Sequence, residues 1–320
     1  MCYSAMIRAN YRDYVRMFGA NITIREFVEL YVERNQDSTI NIPKAMSAAF
    51  LAAPQEPGEQ RIAELIRSFD EARSTKLQQT LFEQMERQTK AQRKLEVKNT
   101  KAASEDLRIS TTKIEDARKK LAGMGYADLR SSDSRIFPHW YAPVMIVEDG
   151  ERVIKPMRYL LRPEGMPASF DVTHSGSFNA RRDNLRKFWR KQFGHNHGLI
   201  LVDRFYENVN RHRLEQRELE PDEKPENVRL EFVPNPPQLM LVPCIWSRWS
   251  APGQKDLLSF AAITDEPPPE VAATGHDRCL VQIKHENVDA WLNPAGRSLD
   301  VLDAILEDKE HPYYEHRLAA

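Results

Sequence analysis

The residues with the most chemistry to offer are the first two, Met1 and Cys2. A second residue as small as cysteine permits loss of Met1, and the chain then begins with an α-amine and a thiol on adjacent carbons, a 1,2-aminothiol. An α-amine with a pKa of about 8 and a thiol near about 8.5 are both partly deprotonated close to neutral pH. Such a pair condenses with an aldehyde: the amine gives a Schiff base, and the thiol closes it to a thiazolidine ring. A cysteine at this position is also a common small buried residue, so the rest of the chain has to decide.

That condensation needs a proton delivered to the departing hydroxyl and another taken from the nitrogen, which calls for a carboxylic acid and an imidazole near the amine. Glu207, leaving the apolar run Gly198 to Val202, can be the acid, and His276, after Gly275, can shuttle the proton. Asn179 can hold the amine or the aldehyde oxygen by hydrogen bonds. Taken singly, a Glu at a strand end is more often an ion-pair residue and a lone His more often structural. His195, His197, His276 and Cys279 lack the paired spacing of a zinc site, so no metal is expected, and no motif calls for a cofactor.

Composition narrows the class. A formal net charge of -1 excludes a globally basic nucleic-acid binder, so a nucleic-acid site has to be a local patch. Three cysteines, Cys2, Cys244 and Cys279, are too few and too scattered for a disulfide framework. The start MCYSAMIRANYRDYV has no long apolar run, and no apolar stretch is long enough to span a membrane, so a cytoplasmic chain without signal peptide is expected. There is no Walker loop and no G-x-S-x-G elbow.

Several elements must position these residues. Ile24, Phe27, Val28 and Tyr31 predict an amphipathic helix over 23–34. Residues 59–121 contain neither Pro nor Gly and carry Ile62, Leu65, Ile66, Phe69, Leu77, Leu81 and Met85 at threes and fours in a charged background. This predicts a long helix or helical hairpin, a coiled-coil-like arm whose charges are mostly a solvated face, with a partner-binding or self-association role as the other use. After Gly123 and Gly125 the period becomes two. Val144 to Val147, a turn at Glu148-Asp149-Gly150-Glu151 and Val153 to Tyr159 predict a β-hairpin. Leu185, Phe188, Trp189 and Phe193 predict a helix whose Arg182, Arg186, Lys187, Arg190 and Lys191 form a basic face able to contact phosphates. Gly198 to Val202 reads as a buried strand, residues 211–228 as a polar loop, and 239–249 and 257–263 as strands, the last leading into Thr264. The fold class is α+β: a β-rich core of mixed and antiparallel, barrel-like sheets with flanking helices and one long helical insertion. The expected organisation is 1–58 and 123–320 as two parts of one domain, with 59–122 inserted between them.

The ordered motifs Met1-Cys2, Phe178-Asn179-Ala180-Arg181, Phe205-Tyr206-Glu207 and Gly275-His276-Asp277-Arg278 resemble the SRAP family of SOS-response-associated peptidases, which process abasic sites. The resemblance covers roughly 1–57 and 135–294 and leaves 59–121 outside. It implies that Cys2, after loss of Met1, crosslinks to the open-chain aldehyde of an abasic site in single-stranded DNA. It implies that Asn179 orients the Cys2 amine and the sugar, that Glu207 is the acid-base carboxylate, and that His276 acts in sugar ring opening and crosslink reversal. Arg181 is then a phosphate contact, and Arg182, Arg186 and Thr264 join it as candidate DNA-binding residues. A peptidase activity that removes the residue before Cys2, and lyase-type Schiff-base chemistry, come with the same resemblance. Family members commonly follow the cysteine with Gly-Arg, where this chain has Tyr3-Ser4.

Two other readings remain. An N-terminal-nucleophile hydrolase would use Cys2 on an amide with its own amine as base, but Tyr3 and the lack of a Gly-rich oxyanion loop count against it. A non-enzymatic platform would make the helical arm the functional part and leave Cys2 without a role. The reading taken forward is a DNA-repair protein that captures abasic sites in single-stranded DNA, associated with the nucleoid when bound.

Overall fold

The computed structural model describes residues 4–319; Met1, Cys2, Tyr3 and Ala320 lie outside the described residues. Twelve strands occur among the described residues: β1 (Ser4–Ile7), β2 (Asn21–Ile22), β3 (Arg135–Ile136), β4 (Tyr141–Glu148), β5 (Glu151–Tyr159), β6 (Asn179–Arg181), β7 (His197–Asn210), β8 (Asn227–Asn235), β9 (Met240–Trp249), β10 (Leu257–Asp265), β11 (Cys279–Leu280) and β12 (Tyr313–Leu318). All belong to one mixed sheet. The pairings β7–β4–β5–β10–β9–β7 close a circuit, but β4 meets β7 through the single pair Met145↔Leu199 and β5 meets β10 through two pairs. The ring is therefore not a clean barrel, a refinement of the barrel-like expectation within the α+β class.

The central strand is β7. Its first six residues, His197 to Val202, are all buried, which a strand covered on both faces requires and which the continuous apolar run encodes. The strand does not end there. It continues through Asp203 and Arg204 to Asn210, so Glu207 lies inside a 14-residue strand rather than beyond its end. Pairing explains the extension: β8 takes over as neighbour, from Phe205↔Phe232 to Asn210↔Asn227, with the two Phe rings stacked at 5.0 Å. The alternation Val228, Leu230, Phe232 makes β8, and β12 covers its other edge. The β4–β5 hairpin turns at Asp149 (φ 53°) and Gly150 (φ 83°), the two left-handed residues a tight primed turn requires.

Six longer helices occur among the described residues, five of them ahead of β3 and the sixth at Leu299–Glu307. α1 (Tyr11–Phe18) is capped by Asn10, whose side chain accepts from the Arg12 amide, and ends at Gly19 in the left-handed conformation. α2 (Ile24–Gln36) and α3 (Lys44–Ala52) pack with the start of α4 (Pro57–Val97), where Ile62, Ala63, Leu65 and Ile66 are buried. Pro57 in the first turn and the Glu56/Glu59 box set the start of α4. After Lys98 to Thr100 the chain returns as α5 (Lys101–Ala122), capped by the Thr100 hydroxyl. The long charged stretch is thus a helical hairpin. It is stitched by Arg87 on Asp106 and Gln88 on Thr111, while Phe82 stands 82% exposed. Among the described residues no helix is long and apolar enough to cross a membrane.

The helix expected after Asn184 is absent. A short 3-10 turn, Arg182–Asn184, leads into successive turns that run through His195, with Gly194 at φ 86°. Leu185, Trp189 and Phe193 are buried, as a stripe at intervals of four suggests, but a chain of turns meets that spacing without helical hydrogen bonding, and Phe188 is left 49% exposed.

Candidate functional site

The site is built where the start of β1, the second half of β7 and the 275–278 loop meet. β1 enters the sheet with Ser4 opposite Tyr206, one residue from Glu207. The Glu207 side chain is fully buried, and Nε2 of His276 lies 3.0 Å from its Oε2. The approach is out of line for a hydrogen bond, and neither carboxylate oxygen has a hydrogen-bond donor among the described residues. Buried carboxylates almost always have donors, so one left without them asks for an explanation. His276 is held from behind, since Nδ1 faces the Arg278 carbonyl at 3.0 Å and its amide at 3.3 Å. Only Nε2 is directed at Glu207. Gly275, at φ +85° with Arg213 Cβ 2.8 Å from where a Cβ would stand, permits the turn that delivers His276.

Ser4 is buried, and its hydroxyl accepts from Arg135 Nε at 3.0 Å and Nη2 at 2.6 Å. The Arg135 guanidinium lies 3.6 Å over the Tyr206 ring and 4.9 Å from the Phe137 ring. Tyr206 donates to Glu231, and burial first, with that bond, pushes its hydroxyl up to about 12, which keeps it a donor. The chain is therefore anchored next to Glu207 by a stacked arginine. Cys2 itself lies outside the described residues. The other two thiols are poor nucleophiles: burial pushes both Cys244 and Cys279 up, and for Cys279 the nearby Glu207 charge adds to it.

Asn179 is buried on β6, which pairs in parallel with β10 through Asn179↔Ala262 and Thr264↔Arg181. Its Oδ1 accepts from the Tyr159 hydroxyl at 3.3 Å, so its Nδ2 is the donor end. Asn179, Arg181, Phe188, Trp189 and Arg278 line one cleft of about 290 Å³. Arg278 Nε is buried there without a hydrogen-bond partner among the described residues. Arg181 is half exposed and forms a two-pronged surface pair with Asp183, a contact that phosphate can replace at little cost.

Of the predicted residues, the structure brings Glu207 and His276 into contact and sets Asn179 and Arg181 in one cleft with Arg278. It does not bring Arg182 and Arg186 to that cleft. Arg182 pairs with Asp265 and Glu307, and Arg186 with Asp300 and Asp303 on the helix Leu299–Glu307. Thr264 is fully buried, its Oγ1 without a partner among the described residues. Sequence reasoning missed Arg135, Tyr159 and Arg278. Arg278 had a signal, since it closes the Gly275-His276-Asp277-Arg278 motif. Arg135 and Tyr159 had none, because their roles come from partners 131 and 20 residues away.

The SOS response associated peptidase (SRAP) family model matches residues 107–318. Among solved structures, a protein from Bacteroides thetaiotaomicron aligns with 13% identity and a TM-score of 0.44 over 58% of this chain and 77% of its own. A protein from Bordetella bronchiseptica aligns with 17% identity and a TM-score of 0.45 over 64% of this chain and 95% of its own. A phage-related protein from the same organism aligns with 17% identity and a TM-score of 0.43, covering 58% and 80%. No curated protein matches the chain in sequence.

Proposed function

Because the chain belongs to the SOS response associated peptidase family, with the DNA-damage role that membership supports, we propose that it captures abasic sites in single-stranded DNA as a covalent thiazolidine on Cys2. The observation that carries this reading is the position of Glu207. It is a buried carboxylate without donors among the described residues, 3.0 Å from His276, beside the point where the chain emerging from its first residues enters the sheet.

The steps follow from the chemistry of the groups. Loss of Met1 exposes the Cys2 amine, and the Cys2 amine adds to the aldehyde carbon of the opened sugar, giving a carbinolamine. Glu207 donates a proton to the departing hydroxyl, which leaves as water, and takes up the proton that the nitrogen releases as the C=N bond forms. The Cys2 thiol then gives its proton to the nitrogen as its sulfur adds to the same carbon, so that aldehyde and aminothiol become thiazolidine plus one water. His276, steered by the Arg278 backbone, passes the proton that opens the sugar ring and, in reverse, the crosslink. Asn179, its Oδ1 held by Tyr159, presents its amide protons to the sugar, and Arg181 exchanges Asp183 for the flanking phosphate. The peptidase activity in the family description corresponds to removal of the residue ahead of Cys2, with the same carboxylate and amide assisting.

A denaturing gel of the protein with single-stranded DNA carrying one abasic site tests this, beside undamaged DNA and Cys2→Ser. A shifted band confined to abasic DNA and to intact Cys2 is expected. Its absence, with Met1 shown to be removed, overturns the reading.

A further inference from the structure

A groove of about 980 Å³ lies between the α4–α5 hairpin and the core, and the proposed chemistry does not use it. Its wall on α4 is one helical stripe, Phe69, Arg73, Lys76, Leu77 and Thr80. Lys120 of α5 faces in from the other helix. Arg73, Lys76 and Lys120 are exposed and have no ion pair among the described residues. The two carboxylates at the groove are already engaged: Asp70 accepts from the Tyr126 hydroxyl at 2.7 Å, and Asp133 caps the Arg130 amide and pairs with Lys44. The groove thus carries uncompensated positive charge in a chain whose formal net charge is -1.

Aromatic faces line the same groove. Phe69, under the Arg34 guanidinium at 4.0 Å, is joined by Tyr126 and Trp140. Trp140 is also the end of a line of contacts that runs back, through buried Arg135 and Tyr206, to the candidate site: Tyr206 beneath Arg135 at 3.6 Å, Arg135 over Phe137 at 4.9 Å, and Phe137 tilted against Trp140 at 5.5 Å. Free cations alternating with half-buried aromatic rings are what a single strand of nucleic acid needs: the first for its phosphates, the second for unstacked bases.

We propose that this groove binds the undamaged single-stranded DNA that flanks the lesion, making the hairpin a second DNA-binding element. The proposal rests on the abasic-site reading for its choice of DNA over an acidic protein segment.

The test is fluorescence anisotropy of the full chain with an undamaged single strand of about 25 nucleotides, wild type against Arg73→Glu/Lys76→Glu/Lys120→Glu, as a function of salt. Three phosphate contacts contribute about 2 to the slope of log K against log salt for a single strand, so the wild type should lose about 20-fold more affinity than the variant between about 50 and about 200 mM salt. The exposed positions should leave the melting temperature unchanged, and the Gln triple variant, expected to show the same loss of slope, guards against disruption by the added acids. An unchanged slope overturns the proposal. So does a wild type that binds polyglutamate in preference to DNA, which would make the groove a site for an acidic protein segment. The parent reading is measured separately, by crosslinking to an abasic strand of about five nucleotides, too short to fill the groove. No crosslink there with a sensitive salt slope sinks the chemistry and leaves the groove standing, whereas a crosslink with an insensitive slope does the reverse.

Discussion

Replacing Glu207 by Gln is the change that separates chemistry from architecture at this site. Gln keeps the volume and buried position of the side chain but has no proton to give. If Glu207 is the acid of water loss, the single-turnover rate of crosslink formation should fall by about 10²- to 10⁴-fold, the usual worth of a positioned acid-base group. That range is about 3–5 kcal/mol of barrier. Stability should move the other way or not at all. The carboxylate is fully buried, its oxygens lack donors among the described residues, and its one near neighbour, His276 Nε2 at 3.0 Å, is out of hydrogen-bond alignment. Exchanging a buried carboxyl group whose oxygens lack donors for an amide of the same shape therefore costs little. The assay is a quenched time course on denaturing gels with DNA in excess, run beside thermal melts. A variant that melts like the wild type and crosslinks within about threefold of its rate would refute the assignment of acid chemistry to Glu207, the whole expected loss being at least about 10²-fold.

Two further changes probe the frame around it. Gly275→Ala forces φ +85° on a residue with a Cβ and sets that Cβ against Arg213 Cβ at 2.8 Å; a loss of about 1–3 kcal/mol in chemical denaturation and a slower crosslink through displaced His276 are expected, and an unaffected rate would show that this loop does not position the imidazole. His197 is a buried core histidine, its Nε2 accepting from Gly194 and its Nδ1 on the Trp291 carbonyl, and burial lowers it to about 4. A lowered histidine leaves stability intact above its unfolded value near about 6.5 and removes it as pH falls towards about 4, so the fold should weaken by about 2 kcal/mol between pH 7 and about pH 5. His197→Gln should flatten that limb in denaturation curves, and an equally steep limb would place the titration elsewhere.

How much the sequence revealed depended on whether a signal was local. The first half of β7 was legible because a strand buried on both faces must be apolar throughout, and the Asp149-Gly150 turn because few residues accept positive φ twice. The helical hairpin was legible from an absence of breakers. The stretch after Asn184 misled because Leu185, Trp189 and Phe193 serve a series of turns as well as a helix. β12 gave no signal: its residues Tyr313 to Leu318 are mostly exposed, and only pairing with β8 makes them a strand. At the site, Glu207 and His276 were legible as motif residues 69 positions apart, and their contact at 3.0 Å comes from topology. Arg135 was invisible, since nothing in its neighbours announces that it holds Ser4 and stacks on Tyr206.

The central claim is a bond between Cys2 and an abasic-site aldehyde, and intact mass spectrometry of the reacted protein addresses it most directly. The account predicts a mass equal to the chain without Met1 plus the oligonucleotide less one water, a crosslink that persists without borohydride, and its disappearance in Cys2→Ser. A wild-type protein that has lost Met1 yet gains no oligonucleotide mass, or an adduct that survives in Cys2→Ser and needs borohydride to be trapped, would contradict it.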